Sequence, residues 1–356
     1  MTLLLSIILL LSFFILFLLI NSPGKLPPLV TTTGKPYPKS LSEKCFLSIG
    51  GHQQGLFILS ENIENPVLLF LHGGPGSPEL PLVYAKNEPN RLEKDFTVCY
   101  WDQRGAGMSL KHTPEASMSL EQLVADTLEV TDYLKKRFNQ DKLFLMGHSW
   151  GSYLGIKTVA QAPEHYAAYI GMGQLSQQKL SERLAYDYLL DQATNIQDNK
   201  TVKALKKFDP SAPSFPSLNY VMSIRSSAMN RYGIGITHKN FSMMTILKQL
   251  LFFKGYTLGE KINYLRGSLF SLKHLFPYTI EDDLTVTTRT FALPVYVTHG
   301  KYDMQVSYEL ARDYVDTLSA PKKAFFTFEH SAHTPIIEER EKFVKVLNKI
   351  KNDHLA

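Results

Sequence analysis

Six short apolar runs constrain this chain more than any other feature. Pro66 to His72 (PVLLFLH), Phe96 to Trp101 (FTVCYW), Lys142 to Met146, Ala167 to Met172, Pro294 to His299 and Lys323 to Glu329 each read as a strand. Runs that stay apolar without alternating suit strands buried on both faces, as in a parallel sheet covered by helices. Amphipathic stretches lie between runs. Leu120 to Phe138, for example, carries Leu123, Val124, Leu128, Val130 and Leu134 on one side. Strand and helix in alternation predict an α/β fold, a mostly parallel sheet flanked by helices. Ahead of the first run, Lys44 to Ile49 and Leu56 to Leu59 flank Gly50 and Gly51 and predict an antiparallel hairpin.

The alternation breaks over residues 175–283, which carry helical patterns, no clear buried strand and prolines at 210, 213 and 216. This block reads as a helical cap inserted between two sheet strands, leaving an α/β core in 41–174 and 284–356. At the other extreme, residues 3–20 (LLLSIILLLSFFILFLLI) contain no charge and no helix breaker. Eighteen residues make a helix of about 27 Å, close to the roughly 30 Å hydrocarbon core of a bilayer. The basic start, short apolar core and small-residue cleavage site of a signal peptide are missing. The sequence therefore predicts a single-pass membrane anchor over 1–22. Prolines 23, 27, 28, 36 and 38 predict an extended linker over 23–40 that lifts the domain off the bilayer. Lys25, Lys35, Lys39 and Lys44 all follow the span, which favours a cytoplasmic domain. The absent basic start leaves the side open.

The net charge of +5 comes from scattered lysines with no Arg-rich run, which argues against a nucleic-acid partner. Cys45 and Cys99 sit in strand-like segments and read as two buried free thiols, not a disulfide framework.

Chemistry should gather at the strand ends. The first run ends in His72-Gly73-Gly74-Pro75-Gly76. Consecutive glycines leave backbone N–H groups unshielded, and one of them can face a developing oxyanion. Gly74 is the expected donor, with Gly73 the alternative. The third run leads into Gly147-His148-Ser149-Trp150-Gly151, a G-x-S-x-G in the strand–turn–helix context that lifts a serine hydroxyl above a sheet. Ser149 is the expected nucleophile, and the Trp150 N–H the second oxyanion donor. His148 is expected to line the pocket or pack beside it.

The second run ends in Trp101-Asp102-Gln103-Arg104-Gly105, read as structural, with Arg104 holding carbonyls of the adjacent glycine loop. A serine hydroxyl needs a base, and the base needs an orienting group. Asp303 follows the PVYVTHG run, and His330-Ser331-Ala332-His333-Thr334-Pro335 follows the last strand. His333, on the loop crest ahead of a Pro-initiated helix, is the expected base. His330, nearer the strand, is the alternative. The chain order Ser, Asp, His is that of α/β-hydrolases.

HGGPG at 72–76, WDQRG at 101–105 and GHSWG at 147–151 together resemble the prolyl aminopeptidase (proline iminopeptidase) branch of the α/β-hydrolase superfamily. The resemblance spans roughly residues 45–350. It implies an α/β-hydrolase fold with a helical cap, a serine nucleophile, no metal and no organic cofactor. It also implies that cap acids hold the substrate's free amine, and Glu182, Asp187 and Asp191 on a predicted cap helix are the candidates. Against this, residues 175–285 carry 14 Lys and Arg against 9 Asp and Glu, and a basic lid does not favour a cationic amine. Met243 to Tyr256 could shape a pocket for an acyl chain or pack the cap. The sequence thus predicts a membrane-anchored aminopeptidase that releases N-terminal proline or small residues from short peptides. An esterase or lipase-like hydrolase with the same triad is the alternative. A non-catalytic binding protein would carry a broken triad or oxyanion loop, and neither is visible. Epoxide hydrolases and haloalkane dehalogenases carry aspartate where this chain has Ser149.

Overall fold

The computed structural model describes residues 2–31, 33–84, 89–239 and 242–355. Met1 of the expected anchor, Thr32 of the linker, and Asn240 and Phe241 of the cap lie outside the described residues.

Eight strands form one sheet: β1 (Leu41–Ile49), β2 (His52–Ser60), β3 (Val67–Leu71), β4 (Thr97–Trp101), β5 (Leu143–His148), β6 (Tyr166–Met172), β7 (Val295–Gly300) and β8 (Lys323–Phe328). Their order is β1-β2-β4-β3-β5-β6-β7-β8. The β1–β2 and β2–β4 pairs are antiparallel, and every pair from β4 onward is parallel. Principal helices are α1 (Thr2–Ile20), α2 (Leu120–Phe138), α3 (Trp150–Gln161), α4 (Gln178–Asn195), α5 (Met243–Phe252), α6 (Leu258–Glu281), α7 (Tyr308–Thr317) and α8 (Arg340–Leu355). All the residues of β3, β4, β5 and β7 are buried, as continuous apolar runs require.

The register sets up the site. Leu71 stands opposite both Trp101 and Gly147, and His148 opposite Met172, so the carboxyl ends of β4, β3, β5 and β6 finish side by side.

The hairpin extends further than its apolar residues suggest, because β2 begins at the polar His52. Gln54 is fully buried there, donating to Asp126 (2.7 Å) and accepting from Trp101 Nε1 (3.0 Å), so its amide is satisfied without water. Among the described residues the chain between β6 and β7 forms helices joined by turns and loops, with no strand of the main sheet. Part of it builds its own core around Tyr186, Leu189, Phe215, Tyr220 and Met229. The stretch around α5 does otherwise: Leu250, Phe253 and Tyr256 pack into the main core, with Phe253 edge-on to Phe57 of β2 at 5.9 Å.

The N-terminal segment departs from expectation. Among the described residues no helix is long and apolar enough to cross a membrane, and the side chains of Leu3, Leu4, Ile8 and Leu11 in α1 fall outside the described set. The single-pass anchor over 1–22 is corrected accordingly. The far end of α1 docks on the domain. Phe17 packs edge-on against Phe252 at 5.7 Å, and Lys261 Nζ donates to the Asn21 carbonyl at 2.7 Å. The expected spacer is corrected too. Lys25 N–H donates to the Lys254 carbonyl, Ser42 Oγ donates to Pro27 O at 3.0 Å, and Leu29 is buried, so residues 25–29 hug the surface instead of extending from it.

Candidate active site

Ser149 sits between β5 and α3 with φ 54° and ψ −120°, a left-handed conformation that costs of order 1–3 kcal/mol and must be enforced by its neighbours. The enforcement is steric. A Cβ on Gly147 would collide with the Gly151 carbonyl, and one on Gly151 with the Leu71 carbonyl. Strand, turn and helix can close this tightly only with glycine on both sides.

Asp303 follows β7, fully enclosed, with Oδ1 accepting N–H groups of Gln305 (2.9 Å) and Val306 (3.0 Å). Its Oδ2 accepts from His333 Nδ1 at 2.8 Å and lies 3.1 Å from His299 Nε2. Burial alone would raise this carboxyl, but His333 and His299 beside it hold it well below the usual carboxylate range. Burial pushes His333 below its ordinary value against the pull of Asp303, with His148 adding to the fall. Near neutral pH this favours the neutral ring, which keeps the Nδ1 proton it donates to Asp303 and can accept another at Nε2. His330, by contrast, is exposed.

Ser149, His333, Gly74 and His148 border one cavity of about 450 Å³, and Ser149 also borders a smaller space lined by Arg225 and Gln178. The Gly73 N–H donates to Glu79 Oε1 at 3.2 Å, while the N–H groups of Gly74 and Trp150 have no backbone or side-chain acceptor among the described residues. Gly74 adopts φ 111°, which a residue with a side chain would resist.

Two residues around the serine carried no sequence signal strong enough to find them. Gln103 clamps the 72–76 glycine loop to the turn that carries Ser149. Its backbone N–H donates to His72 Nε2 (3.1 Å), its side-chain amide to His72 O (3.0 Å), and its Oε1 accepts from Trp150 Nε1 (3.0 Å). Arg104 turns the other way, binding Asp126 and the carbonyls of Ile49 and Gly50 in the β1–β2 turn, so the expectation that it shapes the oxyanion loop is corrected. The second is Glu79, an acid seven residues beyond His72, which bonds His148 Nδ1 inside the cavity.

The expected amine-binding acids are not gathered here. Glu182 is fully buried and held by Arg225 (Nε to Oε2, 2.7 Å) and by Gln178 (2.9 Å). Asp187 and Asp191 point outward from α4 and line neither space around Ser149. Among the described residues no cluster of three or more metal-type ligands occurs.

Residues 66–340 match the family model described as alpha/beta hydrolase fold. The chain is 33% identical over 324 residues to the probable aminopeptidase YbaC of Bacillus subtilis strain 168, covering 90% of this chain and 99% of that one. It is 24% identical to the proline iminopeptidase of Heyndrickxia coagulans, over 86% of this chain and 98% of the relative. Among solved structures, the proline iminopeptidase of Mycobacterium smegmatis superposes with a TM-score of 0.61 at 18% identity, covering 88% of this chain and 98% of that one. At that identity the likeness speaks for the fold alone.

Proposed function

We propose, from the premise that this chain belongs to the α/β-hydrolase fold family and is a serine hydrolase of prolyl aminopeptidase type, that it releases N-terminal proline or small residues from short peptides. The observation that carries the reading is the strained Ser149 at a cavity shared with a neutral His333 that is hydrogen-bonded to a buried Asp303. In this reading His333 removes the Ser149 proton as the hydroxyl attacks the substrate carbonyl. The N–H groups of Gly74 and Trp150 receive the oxyanion. His333 then returns the proton to the leaving amine, and water, with His333 again as base, hydrolyses the acyl-enzyme. Asp303 keeps the ring in the tautomer that leaves Nε2 free for the serine.

A second reading, an esterase, draws support from the cavity walls, since Leu82, Val83, Ile246, Leu247, Leu265 and Leu269 would suit an acyl chain. Hydrolysis of proline p-nitroanilide beside p-nitrophenyl acetate separates the two. Anilide cleavage that Ser149→Ala abolishes by about three orders of magnitude or more is expected, with circular dichroism unchanged. Ester cleavage alone would overturn the aminopeptidase reading, and full activity in Ser149→Ala would overturn both.

A further inference from the structure

The basic cap leaves an unanswered question of charge. A substrate with a free N-terminus brings an ammonium group close to Ser149, and the cap acid Glu182 has both carboxylate oxygens occupied by Arg225 and Gln178. Of the described residues lining the 450 Å³ cavity only Glu79 carries a carboxylate, and it comes from the loop after the oxyanion glycines, outside the cap.

We propose that Glu79 receives the α-ammonium of the substrate's first residue. Its two oxygens are used unequally. Oε1 accepts from the Gly73 N–H and from His148, while Oε2 is buried with no hydrogen-bond partner among the described residues. A buried carboxylate oxygen without a donor is costly, and an ammonium supplies the missing donor together with opposite charge.

The distance suits a first residue. Glu79 Oε1 and Ser149 Cβ each lie 3.1 Å from the point a Cβ on Gly73 would occupy, so they are separated by no more than twice that length. In an N-terminal residue the amine is two bonds from the carbonyl carbon that the serine attacks.

His148 does not saturate the acid. Its ring nitrogens face Glu79 and, at 3.0 Å, the His333 carbonyl, both acceptors, so the ring donates at both ends as a cation that engages Oε1 alone and leaves Oε2 without a donor among the described residues. Apolar walls around the pair keep the local dielectric low and strengthen charge pairing. The smaller space that Ser149 also borders is lined by Arg225, whose guanidinium is held by Glu182. A peptide is then oriented with its N-terminus toward the unpartnered Glu79 Oε2.

The assignment rests on the aminopeptidase reading above. It is tested with the full chain by comparing kcat/KM for proline p-nitroanilide with that for p-nitrophenyl acetate, which has no amine. In Glu79→Gln the anilide-to-ester ratio is expected to fall by about 10- to 100-fold, mostly through KM. Glu79→Asp, which keeps the charge, is expected to recover part of it. The wild-type KM for the anilide should also rise above about pH 8, where a substrate α-amine loses its proton, and Glu79→Gln should flatten that rise. A ratio unchanged in Glu79→Gln, whether both activities fall together or neither falls, overturns the assignment while the aminopeptidase reading stands. A wild-type enzyme that cleaves the ester and no free-amine substrate overturns both.

Discussion

In the proposed mechanism His333 must be neutral to accept the Ser149 proton, and its surroundings decide where that ends. Burial and the neighbouring His148 lower its pKa, and Asp303 only partly restores it. Protonation therefore sets in below the ordinary histidine value of about 6.5. The acid limb of kcat/KM is expected below pH 6.5, with activity lost as pH falls through the His333 pKa and flat above it until the substrate amine titrates. An acid limb centred above pH 7 would contradict the environment described. At this scale the sequence was informative wherever a strand end determined the residue. Ser149 and Asp303 follow buried runs and His333 follows the partly exposed edge strand β8, all in segments that the parallel order aligns. Glu79 and Gln103 were not legible, because their roles depend on loops from different strands converging. Neither spacing nor composition reports that His72, Gln103 and Trp150 meet.

Among the elements, the antiparallel edge has to be locked to the parallel sheet, and one buried cation does much of this. Arg104 at the end of β4 binds Asp126 of α2 through Nε (2.7 Å) and Nη2 (3.0 Å), while Nη2 also reaches the β1–β2 turn. Both side chains are essentially solvent-free, at 2% and 0% exposure, so removing one partner strands the other. Arg104→Met is expected to destabilise the protein by about 3–5 kcal/mol, read as a shift in urea unfolding midpoint. A loss below about 1 kcal/mol would mean that Gln54 and Gln122, which also donate to Asp126, are sufficient. Strand runs were legible because burial on both faces leaves no polar positions. The polar start of β2 was not, since Gln54 belongs in the core only once Asp126 and Trp101 have arrived there.

Across the whole molecule the N-terminal segment and the insertion close on each other, and hydropathy could not reveal it. An apolar stretch announces its length and its aversion to water, but the contact that docks it joins Lys261 to Asn21, 240 positions apart. Lys261 is 5% exposed and donates to two backbone carbonyls, of Asn21 and Leu251, rather than to a carboxylate. Burial without a counter-charge lowers its pKa to about 8. The unfolded chain, with a lysine pKa near 10.4, binds more protons than the folded one between those values. Stability attributable to this residue must therefore rise with pH across that window. Comparing urea midpoints of the wild type and Lys261→Met from pH 7 to 10.5 isolates it from other titrating groups. The wild type should gain relative to the variant as pH rises from about 8, with the difference levelling off near 10.4. A constant difference would mean that Lys261 stays solvated, and that residues 21–25 do not close over α6 in solution.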